Sequence, residues 1–167
     1  MPTNTKASMK PMASRPEMPG YGVSTAKKGM LPFSHFEKHF GNNRNYFVAT
    51  TMPDGGPHVM PVWGVWHAGR FYFSTGSNTR KARNLARSPQ LVITTEDGAQ
   101  PIIVEGRAAR LAKAGAFKGA AAAYKKKYDW ALTLDMGNVY EVRPTKAFAF
   151  IEAAEQFGTT ATRWTFA

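Results

Sequence analysis

Short apolar segments cut by tight turn signals constrain this chain more than any other feature. Asn45 to Thr51 (NYFVATT) is β-branched and aromatic, and Met52-Pro53-Asp54-Gly55-Gly56 follows it as a turn. Pro57 to Trp66 returns as a second strand, His67-Ala68-Gly69 turns again, and Arg70 to Thr75 (RFYFST) is a third. Connections this short join antiparallel neighbours. Gln90 to Thr95 and Pro101 to Leu111 read as two more strands around Glu96-Asp97-Gly98-Ala99. Val139 to Val142 and Ala147 to Ala153 read as late strands, and Thr159 to Phe166 as a last strand or docked tail. Many short strands with few helices indicate a small β-barrel or sandwich.

Three segments break the pattern. Leu31 to Gly41 reads as a helix, with Ser34 and Glu37 as a capping box and Phe33, Phe36 and Phe40 as its buried stripe. Gly76 to Pro89 reads as a short helix capped by Ser77 or Asn78 and stopped by Pro89. Ala112 to Tyr128 is an Ala-rich helix whose end carries Lys125, Lys126 and Lys127, expected to be solvated, with Tyr124 and Tyr128 as anchors to the body. Residues 1–14 read as a loose arm, and Arg15 to Gly22 as an extended segment anchored by Tyr21. The expected organisation is a partly flexible arm over residues 1–30 and one domain over 31–167.

Composition narrows the chemistry. A chain of 167 residues, 43% hydrophobic and 13% aromatic, is globular and long enough for a real core. It has no cysteine, which excludes disulfides, zinc-thiolate sites, iron–sulfur clusters and a catalytic thiol. The formal charge of +11 favours a polyanion: nucleic acid, an anionic membrane or a phosphorylated small molecule. The first thirty residues hold no apolar signal stretch, and the longest apolar runs, such as Val59 to Trp66, are too short to span a bilayer. A soluble, cytoplasmic protein is expected.

Two constellations carry the candidate chemistry. In GSNTRKARNL, Ser77, Asn78 and Thr79 offer polar groups at a helix start, where free backbone N–H groups suit an anion, and Arg80 and Lys81 add charge. Arg83 and Arg87 extend the basic face, and no acid lies between Gly76 and Pro89. Phosphate is the natural ligand; a capped, solvated surface helix would explain the same residues. In PHVMPVWGVW, alternation sends His58, Met60 and Val62 to one face and Val59, Pro61 and Trp63 to the other. Pro61 implies an edge or a bulge, and exposed backbone beside Trp63 could receive a flat heteroaromatic ring, although tryptophans in such a strand also serve simply as packing. His35 and His39 lack the zinc-protease order and a nearby third ligand, so they read as surface histidines. No nucleophile elbow is present.

The series NYFVATTMPDGGPHVMPVWGVW, RFYFSTGSNTRKARNL and IIVEGRA resembles the pyridoxamine 5′-phosphate oxidase-like superfamily, which includes deazaflavin (coenzyme F-420)-dependent oxidoreductases. The likeness runs from about Arg15, through RPEMPGYG, to the terminal TRWTF. It implies a mainly β fold, a six-stranded antiparallel split β-barrel with Greek-key connections, usually a homodimer with cofactor sites at its interface. It implies that Thr79, Arg80 and Lys81 hold a cofactor phosphate with Thr75 and Ser77 nearby, and that His58, Met60, Val62 and Trp63 flank the ring. Arg163 and Trp164 resemble the chain end that closes the site from the other subunit. Two departures argue against vitamin B6 oxidation: the neutral stretch Met60-Pro61-Val62-Trp63 stands where true oxidases carry basic residues, and Pro101 stands near the position of their Gln.

Two cofactors fit this resemblance. FMN needs a compact phosphate site. A deazaflavin also carries an acidic tail and suits a wider basic surface, and Arg80 to Lys127 holds 11 basic and 3 acidic residues. Coenzyme F-420 is therefore favoured and FMN second, for hydride transfer to or from a small organic substrate. His58 and Tyr46 are the candidate proton donors. The alternative is a non-catalytic flavin- or polyanion-binding barrel; nucleic acid and membrane partners are not expected.

Overall fold

The computed structural model describes residues 10–167. The first nine residues of the expected loose arm lie outside the described residues.

Alternation of apolar and polar side chains builds one antiparallel sheet of nine strands. They are β1 (Met12–Ser14), β2 (Tyr46–Thr51), β3 (Pro57–Val62), β4 (Gly64–His67), β5 (Arg70–Thr75), β6 (Gln90–Thr95), β7 (Ile102–Leu111), β8 (Asn138–Ala149) and β9 (Thr162–Thr165). The hydrogen-bonded path runs β1-β9-β8-β7-β6-β2-β3, with β4 and β5 branching from β8. The sheet does not close on itself, as in a split barrel. Four helices accompany it: α1 (Phe33–Asn42), α2 (Arg80–Arg87), α3 (Lys118–Tyr128) and α4 (Ala154–Thr160).

The strand count exceeds the six expected, for identifiable reasons. The segment Pro57–Trp66 breaks at Trp63 into β3 and β4, because Gly64 packs on Phe71 so closely that a Cβ would sit 2.1 Å from the ring. The two expected late strands are instead one, β8, which carries Pro144 opposite Gly106, where the register of β7 shifts. A bulge absorbs the missing N–H of proline. The arm adds β1, paired with β9 through Met12–Thr165, Ala13–Trp164 and Ser14–Arg163, so residues 12–14 are not loose. Arg15 clips this docking by donating to the carbonyls of Ala26, Lys28, Thr159 and Ala161. Tyr21 is 67% exposed, with its ring centre 6.1 Å from that of Phe157.

Helix ends differ in detail. Pro32, not Ser34, occupies the cap of α1, so no capping box forms. Phe36 and Phe40 are fully buried as the stripe requires. Thr79, rather than Ser77 or Asn78, caps α2, its Oγ1 accepting from Ala82 N–H at 3.2 Å. The Ala-rich segment opens as a 3-10 turn (Ala114–Phe117) before α3, and α4 fills the gap after the expected strand Ala147–Ala153, overlapping the expected tail only at Thr159 and Thr160.

Two cores result. The main one fills the barrel with Phe36, Phe40, Tyr46, Phe71, Ile93 and Trp164 among others. The second joins α3 to β4, β5 and β8 through Val65, Tyr72, Tyr124, Tyr128 and Val139. Gly119 admits α3 onto β4, since a Cβ there would meet His67 Nε2 at 2.5 Å.

Candidate functional site

The turn between β5 and α2 gathers the phosphate candidates. Thr75 Oγ1, at the end of β5, lies 3.0 Å from Thr79 Oγ1, and Thr79 Oγ1 donates to the Gly76 carbonyl at 2.9 Å. Gly137 makes room behind them, because a Cβ there would lie 2.5 Å from the Thr75 carbonyl oxygen. Arg80, the first residue of α2, is exposed, as is Ser77. Ser77 lines a cavity of about 520 Å³ with Arg110, Leu134, Met136 and Asn138.

Lys81 is the decisive residue of this turn. It is 6% exposed, yet no carboxylate among the described residues pairs with it. Burial alone lowers its pKa. One turn on, Asn84 is 1% exposed, donates to Thr50 Oγ1 at 3.0 Å, and leaves its Oδ1 without a partner. Sequence reasoning passed over Asn84. Its signal was an amide of low helix propensity three residues after Lys81, on the same helix face. Arg87 completes the attachment of α2 by donating to the Thr51 and Met52 carbonyls.

The second constellation lies across β2 from this helix. His58 pairs in register with Thr50, the residue held by Asn84, and its Nδ1 is buried without a partner. Pairing with β2 alone makes β3 the edge of the sheet, as Pro61 implied. Met60 is 47% exposed and Trp63 37% exposed, whereas the Val62 side chain packs into the main core, so only its backbone faces outward.

Three side chains lie in surroundings that the sequence did not indicate. Tyr46 is fully buried, its hydroxyl donates to the Phe40 carbonyl and accepts from Lys127, and burial holds the phenol far above its ordinary range. It cannot reach a substrate. Trp164 is 1% exposed and packs edge-on to Phe33 and Phe36, because alternation along β9 turns it into the core. Arg163 faces the other way and donates to Ser14 Oγ at 3.1 Å. On the hydrogen-bonded path, four strands separate β9 from β3. Lys127 is not a solvated helix end but donates to the Gly41 and Gly64 carbonyls and to Tyr46 Oη.

His35 and His39 stack at 4.0 Å, and no cluster of three metal-ligating side chains occurs among the described residues. No helix among them is long and apolar enough to cross a membrane.

Residues 35–158 match the pyridoxamine 5′-phosphate oxidase family, a stretch that takes in both constellations. The chain belongs to this family. Several solved structures share its fold. A conserved hypothetical protein from Mycobacterium tuberculosis has a TM-score of 0.67 at 18% identity, covering 80% of this chain and 92% of that one. An F420 reductase has a TM-score of 0.54 at 25% identity, covering 66% and 94%. An FAD-binding protein from Mesorhizobium loti has a TM-score of 0.57 at 16% identity, covering 82% and 96%. No curated protein matches the sequence.

Proposed function

We propose that this chain is an oxidoreductase of the pyridoxamine 5′-phosphate oxidase family that binds a flavin-type cofactor, coenzyme F-420 in preference to FMN. The observation that carries the reading is Lys81, a lysine side chain largely buried in the fold that no carboxylate among the described residues pairs with. A buried charge is costly unless paired, and a phosphate supplies the pair. Thr75, Thr79 and Arg80 stand around the same helix start, whose first N–H groups suit an anion. The edge of β3, with His58, Met60 and Trp63, would flank the ring with backbone groups that the sheet leaves free. Such a cofactor, when bound, supplies hydride transfer. The protein orients it, keeps water from one face and offers His58 as the remaining candidate proton donor.

The preference for the deazaflavin rests on space and charge beyond one phosphate. The cavity beside Ser77 supplies the space, with both Arg110 and Asp135 on its lining, the extra charge lies in the basic excess from Arg80 to Lys127, and the F420 reductase is among the folds this chain resembles. The outer face of β2, β3 and β6 presents Phe47, Ala49, Val59, Pro61 and Val92, an apolar surface that supports a homodimer. Arg163 would then reach a site only from the second copy.

Titrating the purified protein with each cofactor tests the reading. Coenzyme F-420 should bind more tightly than FMN, and the double variant Arg80→Ala, Lys81→Ala should lose both. Normal binding by that variant would sink the phosphate assignment. If the wild type binds neither cofactor but binds oligonucleotides with steep salt dependence, the polyanion-binding alternative takes its place.

A further inference from the structure

Lys127 projects from the last turn of α3 into the junction of three other elements. Its Nζ donates to the Gly41 carbonyl in α1 at 3.1 Å, to Tyr46 Oη in β2 at 2.8 Å and to the Gly64 carbonyl at the start of β4 at 3.1 Å. The ammonium also lies 4.7 Å from the Tyr46 ring centre and 5.2 Å from that of Tyr128. Gly64 is held a second time: its N–H donates to Tyr128 Oη at 3.0 Å, and that hydroxyl has the Gly64 and Arg44 carbonyls at 2.8 and 2.7 Å. Trp63, the residue between β3 and β4, stacks on Tyr128 with ring centres 4.8 Å apart and planes within 6°. Arg44 lies over both rings, at 5.3 and 5.6 Å.

We propose that Lys127 is a positioning residue: by holding Gly64 it fixes Trp63 and the free edge of β3 in the arrangement that receives a cofactor ring. The role in ring binding rests on reading β3 as the ring strand; the clamp itself does not. Three acceptors surround the amine, and Tyr46 has spent its own hydrogen on the Phe40 carbonyl. A protonated amine has three N–H donors and satisfies all of them. A neutral amine has two, and its lone pair must face an oxygen. Loss of the proton therefore loosens the clamp at one corner.

The surroundings place that loss within reach of experiment. Burial, with a smaller contribution from the Arg44 guanidinium, lowers the Lys127 pKa to about 8. The groups facing it are Arg44 from the loop before β2, Tyr46 from β2, and Tyr124 and Tyr128 from α3, while α1 and the start of β4 contribute carbonyls. Glu96 bears on Tyr128 rather than on the amine. Lys125 is engaged with Asp129. The phenols do not titrate in the same range: Tyr128 is pushed up to about 12, and Tyr46 and Tyr124 are also raised.

The test is a fluorescence titration of the full chain from about pH 6.5 to about pH 9.5, comparing wild type with Trp63→Phe to isolate the Trp63 signal. A Trp63-dependent transition with a midpoint near 8, absent in Lys127→Met, is the expected result. No transition, or one that survives Lys127→Met, overturns the clamp, and the wild-type titration decides even if that variant does not fold. At neutral pH, Lys127→Met should bind FMN roughly tenfold more weakly while binding inorganic phosphate unchanged. Unchanged FMN affinity overturns the positioning role. A wild type that binds no cofactor sinks the functional reading alone, and the titration still judges the clamp.

Discussion

Lys81 holds a charge that its own fold does not pair. Replacing a largely buried lysine, which no carboxylate among the described residues pairs with, by an apolar side chain of similar length removes a desolvation cost. Lys81→Met should therefore raise the unfolding midpoint of the cofactor-free protein, by about 2–4 °C for each kcal/mol recovered, while abolishing cofactor binding. Thermal melts with and without FMN check both halves, and a lowered midpoint would mean that the charge is satisfied within the chain. Lys127 makes the same point through pH. Its folded pKa of about 8 lies below its ordinary 10.5, so between those values the unfolded chain binds more protons and stability rises with pH. Above 10 the sign reverses: Tyr72 and Tyr128, both pushed up to about 12, must give up protons on unfolding. Denaturation midpoints measured across this range should peak near pH 10, a profile that Lys127→Met flattens on the acid side.

At the scale of elements, the joints carry more information than the strands. The β4–β5 hairpin turns on two residues, and both have positive φ: 48° at Ala68 and 76° at Gly69. Glycine suits that geometry and alanine resists it. Ala68→Gly should stabilise the protein by about 1 kcal/mol, readable as a shifted denaturation midpoint with an unchanged slope. Gly64→Ala should cost about 1–3 kcal/mol by overpacking against Phe71, and should disturb the Trp63 signal as well. These joints also show what the sequence could not disclose. The strands from Tyr46 to Thr51 and Arg70 to Thr75 follow from their β-branched and aromatic residues and the turns that bound them. The break at Trp63 does not, because it depends on the Phe71 ring beneath Gly64, which is not a sequence neighbour. The gap left between the expected strands Val139 to Val142 and Ala147 to Ala153 is bridged by an irregularity that seats Pro144 opposite Gly106, a pairing the local sequence does not show. Thr79 capped α2 in place of its polar neighbours, a choice that the contact with Thr75 helps explain.

For the whole molecule, the basic charge and the apolar outer face point in different directions. The charge gathers where Arg80 and Lys81 open α2, and that part was legible because a run of basic residues at a helix start has few purposes. The burial of Trp164 and Tyr46 was not, since local sequence does not reveal which way a strand faces once the barrel curls. The outer face leads to a further expectation. Val59, 51% exposed, and Phe47, 37% exposed, are its large exposed apolar side chains. Val59→Lys should shift a dimer to a monomer in size-exclusion chromatography and weaken cofactor binding with it; a wild type that elutes as a monomer would remove the dimer from the account.

The pairing of β1 with β9 has a consequence for synthesis. Met12 and Thr165 are 153 positions apart (165 − 12), so β1 has no place to dock until β9 has been made. Through almost all of translation the β9 side of β8 stays open, and residues 12–14 remain available to other strands. Closure then requires the longest loop in the molecule to be drawn together, the kind of step that slows folding. A fusion partner attached ahead of Met12 would load that final step, and its cost should surface as aggregation during expression rather than as a weaker finished fold.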